Sequence, residues 1–327
     1  MPGPQGQRPV TGSPSVPPGP LHGLGILVTG GGSGIGLAVS RRLLADGAAV
    51  TIAGRNEQRL QDARQILIDA GADPASIRAH AADMSCEDAG RRAVEAASDL
   101  RGGLHAAVAC AGEPRGQMAP VTQLDLDSWR RVFDNNVVAT MLTLKYAARE
   151  LVRAGGGSFV AISSISSTMA ARFTSPISTA KAAIDQLCRI AASELGPSDV
   201  RVNVVRPGLV RVDRQELPEE IERDFLAAVA LPRLGRPDDI ADVVSFLVGP
   251  GAAWITGQVI SVDGGQTVNR PFDASPWVEP VYGQADVTVW SRDVPHEKIV
   301  DECISALYEK LCAGRAIQSG DSLGVSS

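Results

Sequence analysis

TGGGSGIG, residues 29–36, follows directly on the apolar run GILVT (25–29) and opens the helical stretch GLAVSRRLLADG. A strand, a glycine-rich turn and a helix in that order suit a pyrophosphate. Gly30, Gly34 and Gly36 let the chain turn sharply, and backbone N–H groups at the helix N-terminus then face the anion. Gly32, Ser33 and Ile35 complete the candidate cradle. A triphosphate P-loop would end in Gly-Lys-Ser/Thr, which does not follow here. A bare tight turn is the plainer reading, and the position right after a first strand weighs against it.

Outward from this loop, strand and helix patterns alternate from about residue 24 to 265. AAVTIAG (48–54), LHAAVAC (104–110), SFVAISS (158–164), VRVNVVRP (200–207) and QVISVDGG (258–265) read as further strands. Their nearly unbroken hydrophobicity suits a parallel sheet covered on both faces. NEQRLQDARQILIDAG reads as a helix capped by Asn56, with an apolar stripe at Leu60, Ala63, Ile66 and Leu67 and a stop at Gly71. The alternation predicts an α/β fold, a doubly wound parallel sheet that binds its ligand at the carboxyl ends of the strands.

Composition narrows the function. The chain has 327 residues, 44% of them apolar, enough for one large α/β domain with appendages. A net charge of −6 argues against a nucleic-acid-binding surface or a polybasic membrane patch. No apolar run approaches the roughly 18 residues of a membrane span. Five cysteines (Cys86, Cys110, Cys188, Cys303 and Cys312) stand at no metal-like spacing and read as reduced thiols of a cytoplasmic protein. The four histidines are equally scattered, so no metal site is expected. Residues 1–23 read as a disordered leader, because the first twenty hold seven prolines and four glycines and lack a signal peptide's apolar core. Residues 266–327 read as a C-terminal extension. There Ile299, Val300, Cys303, Ile304, Leu307 and Leu311 predict one amphipathic helix docked on the core or on a neighbouring subunit.

The dinucleotide can be narrowed further. An acidic residue about 20 positions past the glycine loop would hold a ribose 2′-OH. IAGRN places Gly54 and Arg55 there instead. A guanidinium beside a small residue can pair with a 2′-phosphate, or it can simply stand in solvent at the helix start; NADP is expected before NAD.

Together with motifs further on, this pattern resembles the short-chain dehydrogenase/reductase family over residues 24–265. The resemblance rests on Thr-Gly-x-x-x-Gly-x-Gly at 29–36, AADM with Asp83, WRRVFDNNV with Asn136, Ser164, Lys181, RPG at 206–208, and RLGRPDDIA before ITGQVISVDGG. It implies a Rossmann-like sheet of seven strands, NAD(P)(H), a carbonyl or alcohol substrate of apolar character, and a homodimer or homotetramer. It places the adenine ring at Asp83 and the rest of the cofactor along Ala111, Gly112, Pro207 and Gly208, with Lys181 at the nicotinamide ribose. It gives Ser164 the substrate carbonyl and Asn136 a proton-relay water.

Two signatures depart from the family. Its Asn-Asn-Ala-Gly is ACAG (109–112) here, and the active-site Tyr, expected thirteen residues after Ser164 and four before Lys181, is Ile177. In the family the phenol moves a proton to or from the substrate oxygen while hydride moves to or from nicotinamide. Ile177 can do neither, and losing a general acid typically costs about 10²–10⁴-fold in rate. Ser178 is a poor substitute, turned about 100° around the helix and far less acidic. Tyr146 lies about 15 Å down the helix from Asn136. Tyr282 and Tyr308 belong to the extension, from which Tyr282 could reach the cleft as part of a lid, although such tails more often pack on the surface.

Two regions keep two readings each. Phe225, Leu226, Val229 and Leu231 either line an apolar substrate pocket or close the domain. Met141, Leu142, Leu144, Ile184, Leu187 and Ile190, on two long helices, exceed what one sheet contact needs and are expected to pair across a two-fold axis. Three functions therefore stand: an NADP-dependent oxidoreductase that is slowed or uses another proton source, a cofactor-binding protein without redox turnover, and a non-redox enzyme that reuses Ser164 and Lys181.

Overall fold

The computed structural model describes residues 19–100, 102–113, 116–212 and 217–269, with Pro276 and Val278 besides. Residues 1–18 of the expected leader, the amphipathic helix of the extension, Tyr282 and Tyr308 lie outside them.

The chain alternates strand and helix: β1 (Gly25–Thr29), α1 (Gly34–Ala45), β2 (Ala49–Gly54), α2 (Glu57–Asp69), β3 (Ile77–Ala81), α3 (Glu87–Ser98) and β4 (Ala106–Ala109). Then come α4 (Leu126–Phe133), α5 (Ala139–Arg153), β5 (Gly157–Ile162), α6 (Ser175–Leu195), β6 (Val200–Pro207), α7 (Glu219–Ala228), α8 (Pro237–Val248) and β7 (Val259–Val262). All seven strands pair in parallel, in the order β3-β2-β1-β4-β5-β6-β7. The expected doubly wound fold is present.

The pleat of the sheet divides the core in two. Ile26 and Val28 of β1 point to one face, where they meet Val39 and Leu43 of α1, Leu60 and Leu67 of α2, and Ile240 and Val244 of α8. Leu27 points to the other face and joins Val94 of α3, Leu151 of α5, and Ile184 and Cys188 of α6. Burial on both faces explains why the central strands have no polar alternation.

Departures from the sequence reading have local causes. β3 was not among the expected strands because IRAHA places Arg78 and His80 on a sheet edge, where only Ile77 is buried. Residues 19–23, assigned to the leader, pack on the domain: the Leu21 N–H donates to the Asp46 carbonyl and its side chain is buried. Ile66 is half exposed, so the stripe of α2 is narrower than expected, and Asn56 caps that helix through the Arg59 N–H. Leu142, Leu144 and Ile184 are buried within their own chain, whereas Met141 and Ile190 stay exposed.

The order reverses between β1 and β4, the successive neighbours of which run to opposite edges. Such a switch opens a crevice at the carboxyl ends of the strands. The functional residues gather there.

Candidate active site

A cavity of about 770 Å³ runs along that edge and is bordered by the glycine loop, Arg55, Asp83, Asn136, Ser164, Ile177, Lys181, Pro207 and Gly208. Residues spread over nearly 180 positions thus share one cleft, and every expected site residue borders it.

The loop is shaped for close approach of a ligand to the backbone. Gly30 and Gly34 have φ of 69° and 51°, left-handed values that disfavour side chains. A Cβ on Gly36 would collide with the Gly30 carbonyl oxygen, so α1 can start this close to β1 only with glycine. Thr29 ties the loop to the end of β4, its Oγ1 accepting from the N–H groups of Cys110 and Ala111 at 3.2 Å each. The N-terminus of α1 therefore lies at the cleft, with Gly34 against the Val212 side chain, and a backbone this close to the opening fits a pyrophosphate.

At the β2–β3 end the cleft is cationic on one wall. Arg55 and Arg59 border it, and Gly54 leaves room where an acid would repel a 2′-phosphate. Arg55 Nη1 donates to Asn135 Oδ1 at 3.4 Å. Asp83 Oδ1 accepts from the Ser85 N–H at 3.0 Å and its hydroxyl at 2.7 Å. Burial opposes the Asp83 charge, but those bonds and the Arg55 guanidinium outweigh it and hold the carboxyl below its usual range.

The centre is built by β4, β5 and the helices behind them. A single π-helical turn, Asp134–Val138, separates α4 from α5 and carries Asn136. Its Nδ2 donates to the Val132 carbonyl at 2.9 Å and the Glu113 carbonyl at 3.2 Å. Its Oδ1 has no partner although the residue is fully buried. A side chain at Gly112 would strike that oxygen and come into ordinary contact with Lys181 Nζ, 3.7 Å away, which places amide and ammonium near the same glycine. Lys181 Nζ donates to the Ile162 carbonyl at 3.0 Å. Burial brings Lys181 down to about 8, with Cys110 and Asp185 pulling weakly the other way. Burial likewise pushes the neighbouring Cys110 thiol up to about 11.

Ser164 follows β5 and caps a short 3-10 turn, Ile165–Ser167. Its Oγ accepts from the Ser166 N–H at 3.2 Å and the Ser166 hydroxyl at 3.0 Å, leaving its own O–H to donate into the cleft. Ile177 stands one turn before Lys181 on α6, packed with Val132 and Ala180 and only 7% exposed. Ser178 pairs with Thr174 at 2.7 Å and is not among the residues that border the cleft. Tyr146 is engaged elsewhere, its hydroxyl donating to Glu87 at 2.8 Å.

Phe225 and Val229 close the domain with Leu234, Leu226 and Leu231 are exposed, and none of the four borders the cavity. The apolar wall comes instead from Met118, Ile165, Met169, Leu209, Val210 and Val212. No periodicity marks these loop residues, so the sequence offered no signal for them. Arg59 and Gln266 were also missed, and only their nearness to Arg55 and to VDGG could have pointed to them. Among the described residues no cluster of His, Cys, Asp and Glu could hold a metal ion. No described helix is long and apolar enough to cross a membrane.

Known proteins carry the same architecture. Residues 30–267 match a family model described as "Enoyl-(Acyl carrier protein) reductase". The chain is 35% identical over 244 residues to cis-4-hydroxycyclohexanecarboxylate dehydrogenase of Sinomonas cyclohexanicum, covering 74% of this chain and 95% of that one. It is also 35% identical over 246 residues to (3R)-3-hydroxyacyl-CoA dehydrogenase of Mus musculus, covering 73% and 94%. A short-chain type dehydrogenase/reductase from Mycobacterium ulcerans superposes with a TM-score of 0.78 at 45% identity, covering 81% of this chain and 97% of that one. A 7α-hydroxysteroid dehydrogenase solved with NADH and 7-oxo glycochenodeoxycholic acid superposes at 0.70 with 28% identity, covering 75% and 94%. With the sheet order, the glycine loop and the Ser164–Lys181 pair, these matches establish that the chain belongs to the short-chain dehydrogenase/reductase family of oxidoreductases.

Proposed function

We propose that the protein is an NADP(H)-dependent oxidoreductase that interconverts an apolar carbonyl compound and its alcohol, slowly because residue 177 offers no phenol. The observation that carries this reading is the convergence of Ser164, Lys181 and Asn136 on one cleft with the glycine loop and Arg55. Bound nicotinamide supplies or accepts the hydride. The chain's own residues do the rest. The Ser164 hydroxyl, pre-oriented by Ser166, donates to the substrate oxygen. Lys181, held by the Ile162 carbonyl, has N–H groups left for the ribose hydroxyls. Asn136 Oδ1 accepts from a water beside Lys181. Ile177 moves no proton, so a water or Lys181 must do so.

Arg55, seconded by Arg59, supports NADP over NAD. The names of the relatives put the alcohol on a cyclohexane ring or an acyl chain, which supports a substrate whose carbonyl lies in an aliphatic group, and the apolar character rests on the cleft wall at Met118, Ile165, Met169 and Leu209. Exposed Met141 on α5 and Ile190 on α6 support a homodimer or homotetramer. Free Cys86, Cys110 and Cys188 support a cytoplasmic site.

Ile177 also favours a second reading, a cofactor-binding member without redox turnover. One experiment separates the two: NADPH and NADH titrated by fluorescence, then NADPH oxidation followed under a panel of ketones and aldehydes. Binding with slow oxidation supports the enzyme; binding with none on any substrate supports the second reading. Equal affinity for the two cofactors would remove the NADP assignment.

A further inference from the structure

Two fully buried amides border the cleft with unpartnered atoms. One is Asn136, already part of the site. The other is Gln266, whose Oε1 and Nε2 both lack a hydrogen-bond partner. Asn203 shows what a structural amide looks like in this protein. It is equally buried, yet its Nδ2 donates to the Ile255 carbonyl at 2.8 Å and its Oδ1 accepts from the Gln258 N–H at 3.1 Å. Buried polar groups are nearly always paired, and an exception calls for a ligand or a function.

The place of Gln266 in the fold identifies the ligand. The Gly208 N–H donates to the Val262 carbonyl at 3.1 Å, so the end of β7 lies against the Pro207–Gly208 turn. Beyond β7, Gly264 and Gly265 adopt φ of 63° and 84°, and the turn they make is followed by Gln266, which borders the cleft. By strand order this is the edge opposite Arg55 and Asp83, past Ser164 and Lys181. The occupant there is the substrate. The wall of the same cleft also carries the apolar Met118, Ile165, Met169 and Leu209. Of the charged residues on the cleft, Arg55, Arg59 and Asp83 stand at the far end and Glu113 meets Arg131 and Asn135.

We infer that Gln266 is a specificity residue whose carboxamide takes a neutral hydrogen-bonding group, a hydroxyl or carbonyl, carried by the substrate away from its reacting carbon. This rests on the oxidoreductase reading above. An amide offers one donor end and one acceptor end, which a hydroxyl matches in both senses. A site built to bond a hydroxyl also rejects the analogue that lacks it, because its own polar atoms then stay unpaired.

The test uses the NADPH-loaded full chain and paired ketones that differ only by a remote hydroxyl, such as cyclohexanone and 4-hydroxycyclohexanone, with decalone pairs beside them. Calorimetry measures each pair on the starting protein and on Gln266→Met, which keeps the volume and removes the amide. The hydroxylated member should bind about tenfold tighter or better in at least one pair, and Gln266→Met should erase that preference without weakening the plain ketone. No preference in any pair, or a preference that survives Gln266→Met, overturns the assignment. NADPH affinity is measured separately on both proteins. If neither binds NADPH, the oxidoreductase reading fails, and the same pairs measured without cofactor then decide Gln266 on its own.

Discussion

The two ends of the cleft differ in how much of their polar surface is already satisfied. At the β2–β3 end Asp83 is bonded by Ser85, Arg55 by Asn135, and Asn56 by its own helix. In the centre and at the β7 end, Asn136 Oδ1 and both polar atoms of Gln266 are unpaired, and Ile177 packs with Val132 and Ala180. The first end needs only a backbone cradle and a guanidinium to hold a nucleotide, and its geometry is complete without one. The second depends on side chains that stay open until a substrate supplies partners. On the function proposed above, binding and chemistry are separable: the protein keeps its cofactor grip while its turnover is poor.

Restoring the phenol should sharpen this contrast most. Ile177 borders the cleft one turn from Lys181, so a tyrosine there projects towards Ser164 with the backbone unchanged. Ile177→Tyr should raise carbonyl reduction by about 10²–10⁴-fold, with NADPH affinity nearly constant, since the phenol acts chiefly in the transition state. Steady-state kinetics beside a cofactor titration measures both. A variant no faster on any substrate that the starting protein accepts would point to an existing proton source.

The anchor of α6 comes next. Asp185 accepts from Arg206 Nε at 3.0 Å and Nη2 at 2.8 Å, an ion pair beneath the Ser164–Lys181 centre with the carboxylate side chain only 3% exposed. Removing one partner strands the other charge inside, so Asp185→Ala should cost about 3 kcal/mol of stability in chemical denaturation. The exposed pair Arg41–Asp238 should lose under about 1 kcal/mol on Asp238→Ala. Equal losses at the two positions would contradict the packing described for α6.

What the sequence disclosed follows the same division. The glycine loop and Arg55 were legible from the strand–turn–helix pattern and Ser164 and Lys181 from the family resemblance, and all of them border the cleft. β1, β2, β5 and β6 were legible because burial on both faces makes them apolar throughout. β3 was hidden by its edge position, and Leu21 by the prolines around it. Met118, Met169 and Gln266 were hidden for a different reason: they come from loops far apart in sequence, and only tertiary structure decides which loop residue faces a cleft.

Cofactor choice gives a smaller effect. Arg55→Ala should remove most of the preference for NADPH over NADH, about tenfold, while NADH binding changes little. The comparison is made by titrating both cofactors against both proteins. Should the preference survive, Arg59 carries the 2′-phosphate instead.

The smallest effect is a pH dependence centred on Lys181. Burial lowers this ammonium from 10.5 to about 8, so between those values the folded chain holds fewer protons than the unfolded one. Stability from this group therefore rises with pH across that window: the cost of a buried charge is fully present below pH 8 and fades above it. Cofactor binding runs the other way. The phosphates of NADPH favour the ammonium, so binding above pH 8 takes up a proton and weakens as pH rises. We expect NADPH to bind about three- to tenfold more weakly at pH 9.5 than at pH 7, with Lys181→Met flattening both the affinity profile and the stability rise. Calorimetry in buffers of different ionisation enthalpy counts the proton directly. An affinity profile of the starting protein that is already flat, with no proton taken up, would place the lysine charge outside cofactor binding and leave Lys181 to the substrate alone.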